Sequence, residues 1–273
     1  MKRILVPFDF SKTAQEAFKF ALQLAKANQG KILVLYVIDL PFTYDTLMGM
    51  PYLDSASLFR SLSQHAITKF ERMKMKSAKG HSAITFETAQ GKVTQMIRQC
   101  IDKYKPSVVV MGTHSEPDQR GFLFGSTTEK IIRFSSAPVL AVRKSVPLSS
   151  IKNIAFPTDG QLNQAAMIRQ VKSLQLLFRA KLHLLFVSIP SSPMGTARLE
   201  RYAQHYKLTN CTLNERQNEF AADGILQFVQ EIKPDLLVMS THGRKGAAHL
   251  FYGSVTEQVV NRISCPMWTY HSK

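Results

Sequence analysis

Val108-Val109-Val110-Met111-Gly112-Thr113-His114 is answered, 128 positions later, by Leu236-Leu237-Val238-Met239-Ser240-Thr241-His242. Each is a short apolar run that stops on a small residue and turns polar, the pattern of a buried strand followed by a loop. The same offset relates Gly125-Ser126-Thr127-Thr128-Glu129 to Gly253-Ser254-Val255-Thr256-Glu257, and Ala137-Pro138 to Cys265-Pro266. Nearer the N-terminus the offset is 150: Met1 to Asp9 matches Ile151 to Asp159, and Lys31 to Val37 matches Lys181 to Val187. A period this long is a duplicated domain rather than a solenoid of short repeats. The first copy is about 22 residues longer, and the extra length lies between its second and third strands. A linker containing Pro147 and several serines, 145–150, separates two expected domains, 1–146 and 147–273.

Within each copy strands and helices alternate. Ile4 to Phe8 is apolar and too short for a helix. Ser11 or Thr13 can cap the segment that follows, and Thr13 with Glu16 has capping-box spacing. Ala14, Ala17, Phe18, Ala21, Leu24 and Ala25 then recur with helical period, and Gly30 is expected to end that helix. Ile32 to Ile38 shows no alternation, which predicts a strand covered on both faces. Val93, Ile97 and Ile101 mark a helix, Val108 to Met111 a strand, Thr127 to Phe134 a helix and Val139 to Val142 the last strand. The second copy places strands at Ile154, Leu182 to Val187, Leu236 to Met239 and Met267 to Tyr270. This order predicts an α/β fold: two doubly wound, mostly parallel five-stranded sheets flanked by helices.

Composition narrows the class. The chain has 273 residues, 45% hydrophobic and 20% charged, which excludes a disordered chain. No run of about 18 apolar residues exists to span a bilayer. Met1-Lys2-Arg3 before Ile4-Leu5-Val6 imitates a secretory signal, but Pro7 and Asp9 interrupt it, so a cytoplasmic protein is expected. Cys100, Cys211 and Cys265 are too few and too far apart for a disulfide framework or a zinc knuckle, and read as small buried side chains. Thirty-five Lys and Arg against 19 Asp and Glu leave a formal charge of +16. That surface attracts polyanions. The basic residues are scattered, densest from Lys69 to Lys79, and read either as a solvated face or as a nucleic-acid surface.

Ligands of open α/β sheets bind beyond the carboxyl ends of the strands, where the strand order reverses. The repeated polar residues fall there. Asp9 and Asp159 follow the first strand of each copy, and Gly112-Thr113-His114 and Ser240-Thr241-His242-Gly243 follow the fourth. Gly125-Ser126 and Gly253-Ser254-Val255 open the next helix. A helix N-terminus has unsatisfied N–H groups and the positive dipole end, so phosphate settles there, and glycine lets the backbone approach closely. A carboxylate at the first strand can accept from an exocyclic amine or a ribose hydroxyl. The same Gly-Ser pairs also read as plain helix caps, and descent from one ancestor also explains their recurrence. Neither the dinucleotide glycine fingerprint nor a Walker A sequence is present. His114 and His242 lack a nucleophile elbow or metal-ligand spacing and read as loop residues near phosphate. No catalytic or metal-binding residue is assigned.

With these residues in place, the chain resembles a tandem universal stress protein along nearly all of both halves. The pattern of ATP-binding members is Gly, two residues, Gly, nine residues, then Gly-Ser or Gly-Thr, often as Met-Gly-Thr-His-Gly-Arg. The second copy reads Met239-Ser240-Thr241-His242-Gly243-Arg244-Lys245-Gly246, then Gly253-Ser254. The first reads Met111-Gly112-Thr113-His114-Ser115-Glu116-Pro117-Asp118, then Gly125-Ser126. Each copy departs at one glycine. The resemblance implies a Rossmann-like fold of the adenine-nucleotide α-hydrolase type and ATP, with magnesium, as ligand. It implies adenine and ribose contacts from Asp9 with Val37 and from Asp159 with Val187, although both valines read equally well as strand core. Nucleotide contacts are implied at the motif positions Gly112, Gly125 and Ser126, and at Thr241, Gly243, Arg244, Gly253, Ser254 and Val255; the first copy keeps Asp9 and Gly112 to hold an adenosine end. The basic loop Arg244-Lys245 favours the second copy for phosphates, whereas Glu116 and Asp118 repel them in the first.

The resemblance also implies a regulatory protein rather than a metabolic enzyme, with slow ATP hydrolysis at most. Hydrolysis would need a metal-holding carboxylate, and Glu129 and Glu257, one helical turn in, read as packing or capping residues. A scaffold with degenerate nucleotide sites, using its basic surface, is the alternative. The last strands, Val139 to Val142 and Met267 to Tyr270, are expected to pair within the chain as a pseudo-dimer, and further homodimerisation is left open. The inserted stretch, Leu40 to about Leu62, reads as a lid over the first site, a contact to the other domain or a surface excursion.

Overall fold

The computed structural model describes residues 1–40, 55–77, 83–113, 126–188, 195–241, 255–256, 258–260 and 262–271, with the side chains of 55, 76, 77 and 126 left aside. The first half runs β1 (Arg3–Pro7), α1 (Lys12–Asn28), β2 (Lys31–Ile38), α2 (Ser55–Ser77), β3 (Ile84–Gln90), α3 (Val93–Tyr104), β4 (Val108–Gly112), α4 (Ser126–Phe134) and β5 (Val139–Val142). A 3-10 turn, Leu148–Ser150, leads into β6 (Asn153–Pro157), α5 (Ala165–Phe178), β7 (Lys181–Ser188), α6 (Gly195–His205), β8 (Cys211–Gln217), α7 (Ala221–Ile232), β9 (Leu236–Ser240) and β10 (Met267–Tyr270). Residues 255–256 and 258–260, ahead of β10, are helical.

The strands form one ten-stranded sheet in the order β3-β2-β1-β4-β5-β10-β9-β6-β7-β8. Pairing is parallel inside each half and antiparallel at the junction, where Met267, Trp268 and Thr269 face Ala141, Leu140 and Val139. The last strands of the two copies therefore join them, as expected. Residues alternate between two cores that each run through both halves. Ile4, Val6, Val110 and Leu140 lie under Phe18 and Leu24 of α1, and this core continues through Phe156, Val238 and Trp268 to Val171 of α5 and Leu199 of α6. Leu5, Val109 and Ala141 lie on the other side with Ile97 of α3 and Ile131 of α4, continuing through Leu237 and Met267 to Phe228 of α7. Cover on both faces is why the inner strands read as unbroken apolar runs. Only the outer strands β3 and β8 are half-buried along most of their length.

Local chemistry sets the helix ends. Ser11, not Thr13, caps α1: its Oγ accepts from the N–H of Ala14 at 3.1 Å, and Glu16 instead accepts from the N–H of Ser145 at 2.8 Å. Gly30 does not end α1. Gln29 does so in the left-handed conformation (φ 49°), donating its N–H to the carbonyl of Ala25. Gly30 is needed for space, since a Cβ there would sit 2.7 Å from the Met1 carbonyl oxygen. The inserted stretch is not wholly a loop, because α2 begins at Ser55; residues 41–54 lie outside the described residues. The interdomain linker is strapped to α1: Gln23 Nε2 donates to Ser145 Oγ and to the Val146 carbonyl, both at 3.0 Å, and Gln23 Oε1 accepts from the N–H of Leu148 at 3.2 Å.

Candidate functional site

From β1 the chain crosses to β2 on one side, while β4 lies on the other, so a crevice opens beyond the ends of β1 and β4. β6 and β9 repeat this arrangement in the second half. Asp9 stands two residues past β1 and is exposed. Its Oδ1 accepts from the N–H of Ser11 at 2.9 Å, which turns the chain into α1. Its other oxygen meets no donor among the described residues. Between them Phe10 adopts φ 64°, a left-handed conformation costing about 1–2 kcal/mol for a residue with a side chain. Rings hold it there: Phe8 at 5.0 Å and Tyr36 at 5.3 Å, with Lys69 Nζ 4.4 Å from its centroid. The repeat places Gly160, φ 68°, at the equivalent position. A glycine in one copy was the available sign that Phe10 would be forced left-handed in the other.

Gly112 ends β4 against the first turn of α1. A Cβ there would lie 2.5 Å from the Thr13 carbonyl oxygen and 2.8 Å from the Ala14 nitrogen. The second half carries Ser240 at this position, and α5 begins only at Ala165, about one turn later than α1 in the matched numbering. The absence of a side chain at Gly112 thus has a packing reason independent of any ligand. In each half a threonine ties the following helix to the strand end. Thr128 Oγ1 donates to the Gly112 carbonyl at 3.2 Å, and Thr256 Oγ1 to the Ser240 carbonyl at 3.4 Å. Thr113 is buried, its N–H bonded to the Val142 carbonyl at 2.9 Å, and its hydroxyl finds no partner among the described residues. Thr241 is half-buried, and its hydroxyl lies 3.4 Å from His271 Nδ1.

The second crevice is lined by a polar network that sequence reasoning missed. Asp159 is half-buried; its Oδ1 accepts from the Gln161 N–H at 3.1 Å and from Gln164 Nε2 at 2.7 Å. Gln164 Oε1 in turn accepts from Thr158 Oγ1 at 3.0 Å and Tyr202 OH at 2.6 Å. The Gln164 N–H donates to Tyr206 OH at 2.8 Å. Burial pushes the Tyr202 phenol well above its usual range, so it stays a donor. Arg198 of α6 closes over Gly160, where a Cβ would sit 2.8 Å from its Cγ, and its guanidinium lies 5.4 Å from the Phe186 ring. Arg198 and Tyr202 come from α6 and Tyr206 from the residue after it; the helix's polar periodicity carries no signal that tyrosines there would reach back to the first strand.

Val37 and Val187 close β2 and β7, half-buried on the α3 and α7 face. Gly224 of α7 faces Val187 so closely that a Cβ would come 2.6 Å from its Cγ1. In the first half Met96 takes the place of Gly224, with its Cε 3.3 Å from where a Cβ of Gly91 would be. Ser126 opens α4 as expected, and Val255 is half-buried against the core. His114, Gly125, His242, Gly243, Arg244, Gly253 and Ser254 lie outside the described residues. Burial, with a contribution from Glu87, raises the Cys100 thiol to about 11, and burial raises Cys265 to about 11. Neither is a nucleophile at neutral pH. Among the described residues no helix is long and apolar enough to cross a membrane.

The universal stress protein family model matches the chain twice, over residues 1–143 and 150–271. A universal stress protein of Synechocystis is 27% identical over 289 aligned residues, spanning 99% of this chain and 100% of its own length. One from Methanocaldococcus jannaschii is 31% identical over 148 residues, 52% of this chain and 82% of that protein. The crystal structure of a universal stress protein from Archaeoglobus fulgidus shares the fold with a TM-score of 0.76 at 18% identity, and the match covers 98% of each chain.

Proposed function

Because the chain belongs to the universal stress protein family, we propose that it is a stress-response regulatory protein whose two domains, 1–146 and 147–273, bind an adenine nucleotide at the two strand-end crevices. The observation that carries this reading is the recurrence, at both reversals of strand order, of a carboxylate, Asp9 or Asp159, just past the first strand and a small residue, Gly112 or Ser240, ending the neighbouring one. Asp9 is exposed and has an oxygen left to accept from a ribose hydroxyl or an exocyclic amine. Val37 and Val187, half-buried near the ends of β2 and β7, would offer apolar surface to the base. ATP, with magnesium on its phosphates, is the ligand proposed. Gly112, Gly125 and Ser126 would contact the nucleotide in the first domain, where Asp9 and Gly112 would hold its adenosine end; Thr241, Gly243, Arg244, Gly253, Ser254 and Val255 would contact it in the second. The cationic pair Arg244-Lys245 ranks the second domain above the first for the triphosphate, since Glu116 and Asp118 oppose it in the first.

The test is release of small molecules from freshly purified, denatured protein, identified by mass spectrometry, followed by titration of the stripped protein with ATP and magnesium. An adenine nucleotide near one per chain supports the reading. Gly253→Asp and Gly125→Asp then separate the domains, and the larger loss is expected from Gly253→Asp. A protein that arrives empty and takes up no added nucleotide overturns it. Salt-sensitive binding to polyanions without nucleotide would then favour a scaffold with a basic surface.

A further inference from the structure

On the face of the first half covered by α3 and α4, a groove of about 280 Å³ runs between these two helices. Its floor is Ile101 and Ile131, and Phe134 stands at its edge with 60% of its surface exposed. Arg98 and Lys130 line the same groove. Neither forms an ion pair with another described residue. Asp102, one turn beyond Arg98 on α3, also lines it, leaving the groove with one net positive charge.

The second half supplies an internal comparison, because α7 and the helical residues 255–256 and 258–260, followed by Arg262 and Ile263, repeat this arrangement in the matched numbering. There Leu226 and Ile263, 6% and 2% exposed, fill the positions of Arg98 and Ser135. Asp223 and Arg262, bridged at 2.8 Å, take the places of Gln95 and Phe134 and tie the helices together across the top. Relative to this counterpart, the first half has lost two apolar fillers and a closing ion pair. It has gained an exposed ring and an unneutralised cation. Ser135 is itself buried, with its hydroxyl bonded to the backbone of Ala137, but core packing does not explain Arg98 and Phe134, which leave charge and apolar surface facing water.

We propose that the groove between α3 and α4 is a binding site for a small amphipathic carboxylate, an aromatic ring bearing a short acidic arm. The ring packs on Ile101, Ile131 and Phe134, and the carboxylate lies between the guanidinium of Arg98 and the ammonium of Lys130. The volume is at the small end of ligand pockets, which run to about 300–1,000 Å³, and suits one ring rather than a peptide segment. The charge selects an anion over the neutral or cationic analogue. The site is independent of the nucleotide reading.

The test uses 4-(trifluoromethyl)phenylacetate as probe, followed by fluorine NMR and by protein amide shifts, with the corresponding amide as neutral comparator. Saturable binding is expected, with shifts confined to α3 and α4 and clear preference for the acid. Lys130→Glu is expected to weaken it at least about fivefold. The double variant Gln95→Asp with Phe134→Arg rebuilds the ion pair of the second half. Both positions are exposed, so the fold is kept, as circular dichroism would verify, and binding is lost. Equal binding of acid and amide, shifts scattered elsewhere, no saturable shift, or full binding by the double variant would each overturn the proposal.

Discussion

Trp268 of β10 stands opposite Leu140 of β5, in the antiparallel register that makes one sheet of two parallel halves. Both are 1% exposed and belong to the core that holds Phe18 of α1 and Val171 of α5. Because the core is continuous across the junction, the halves are expected to unfold as one cooperative unit. Trp268 is the single tryptophan, so its fluorescence reports the junction alone, whereas far-UV circular dichroism reports both halves. The two signals should share one urea midpoint. Leu140→Ala leaves a cavity beside the indole and should cost about 2–5 kcal/mol in both. A second, dichroism-only transition would contradict the continuity.

Gly112→Ala places a methyl group against backbone atoms of Thr13 and Ala14 that cannot rotate away. A loss of about 1–3 kcal/mol is expected by chemical denaturation. Ser240→Ala, at a position that already carries a Cβ, should cost about 1 kcal/mol or less.

His183 is 8% exposed at the centre of β7, with Nε2 3.1 Å from Asn153 Oδ1 and Nδ1 2.8 Å from Thr212 Oγ1. Burial, and then the nearby Lys181, lower its pKa from the ordinary 6.5. The unfolded chain therefore takes up this proton at higher pH than the folded one. The stabilisation is complete above pH 6.5 and is lost as the pH falls from there through the lowered folded value. His183→Gln should flatten the acid side of the stability profile. Parallel wild-type and variant profiles between about pH 5 and 7.5 would refute this.

Gln23→Ala removes three hydrogen bonds that strap the linker to α1. Each is partly solvated and worth about 1 kcal/mol or less, so the global loss should stay near 1–2 kcal/mol. The local effect is larger. Limited proteolysis should cut within 143–150 faster than in wild type, while the fragments stay associated through the β5 and β10 pair.

The repeat, the βα alternation, the positions of the inner strands and the pairing of the last strands were all legible in the residues themselves. Unbroken apolar runs such as Val108 to Met111 can be stable only when covered on both faces, so sequence alone determined a doubly wound sheet. Capping chemistry was legible too where it acts through near neighbours, as at Ser11. Tertiary structure decided what depends on contacts between distant segments. Whether Gly112 spares room for a ligand or for α1 rests on where Thr13 arrives in space. The hold of Tyr202 and Tyr206 on Gln164, and of Gln23 on the linker, joins residues from about 40 to 125 positions apart. The groove beside Phe134 brings together residues of α3 and α4 from about 30 positions apart, which neither helix's sequence announces. Periodicity encodes which face of an element is buried, but not which side chain meets it there, because that depends on the packing of elements the local sequence does not contain.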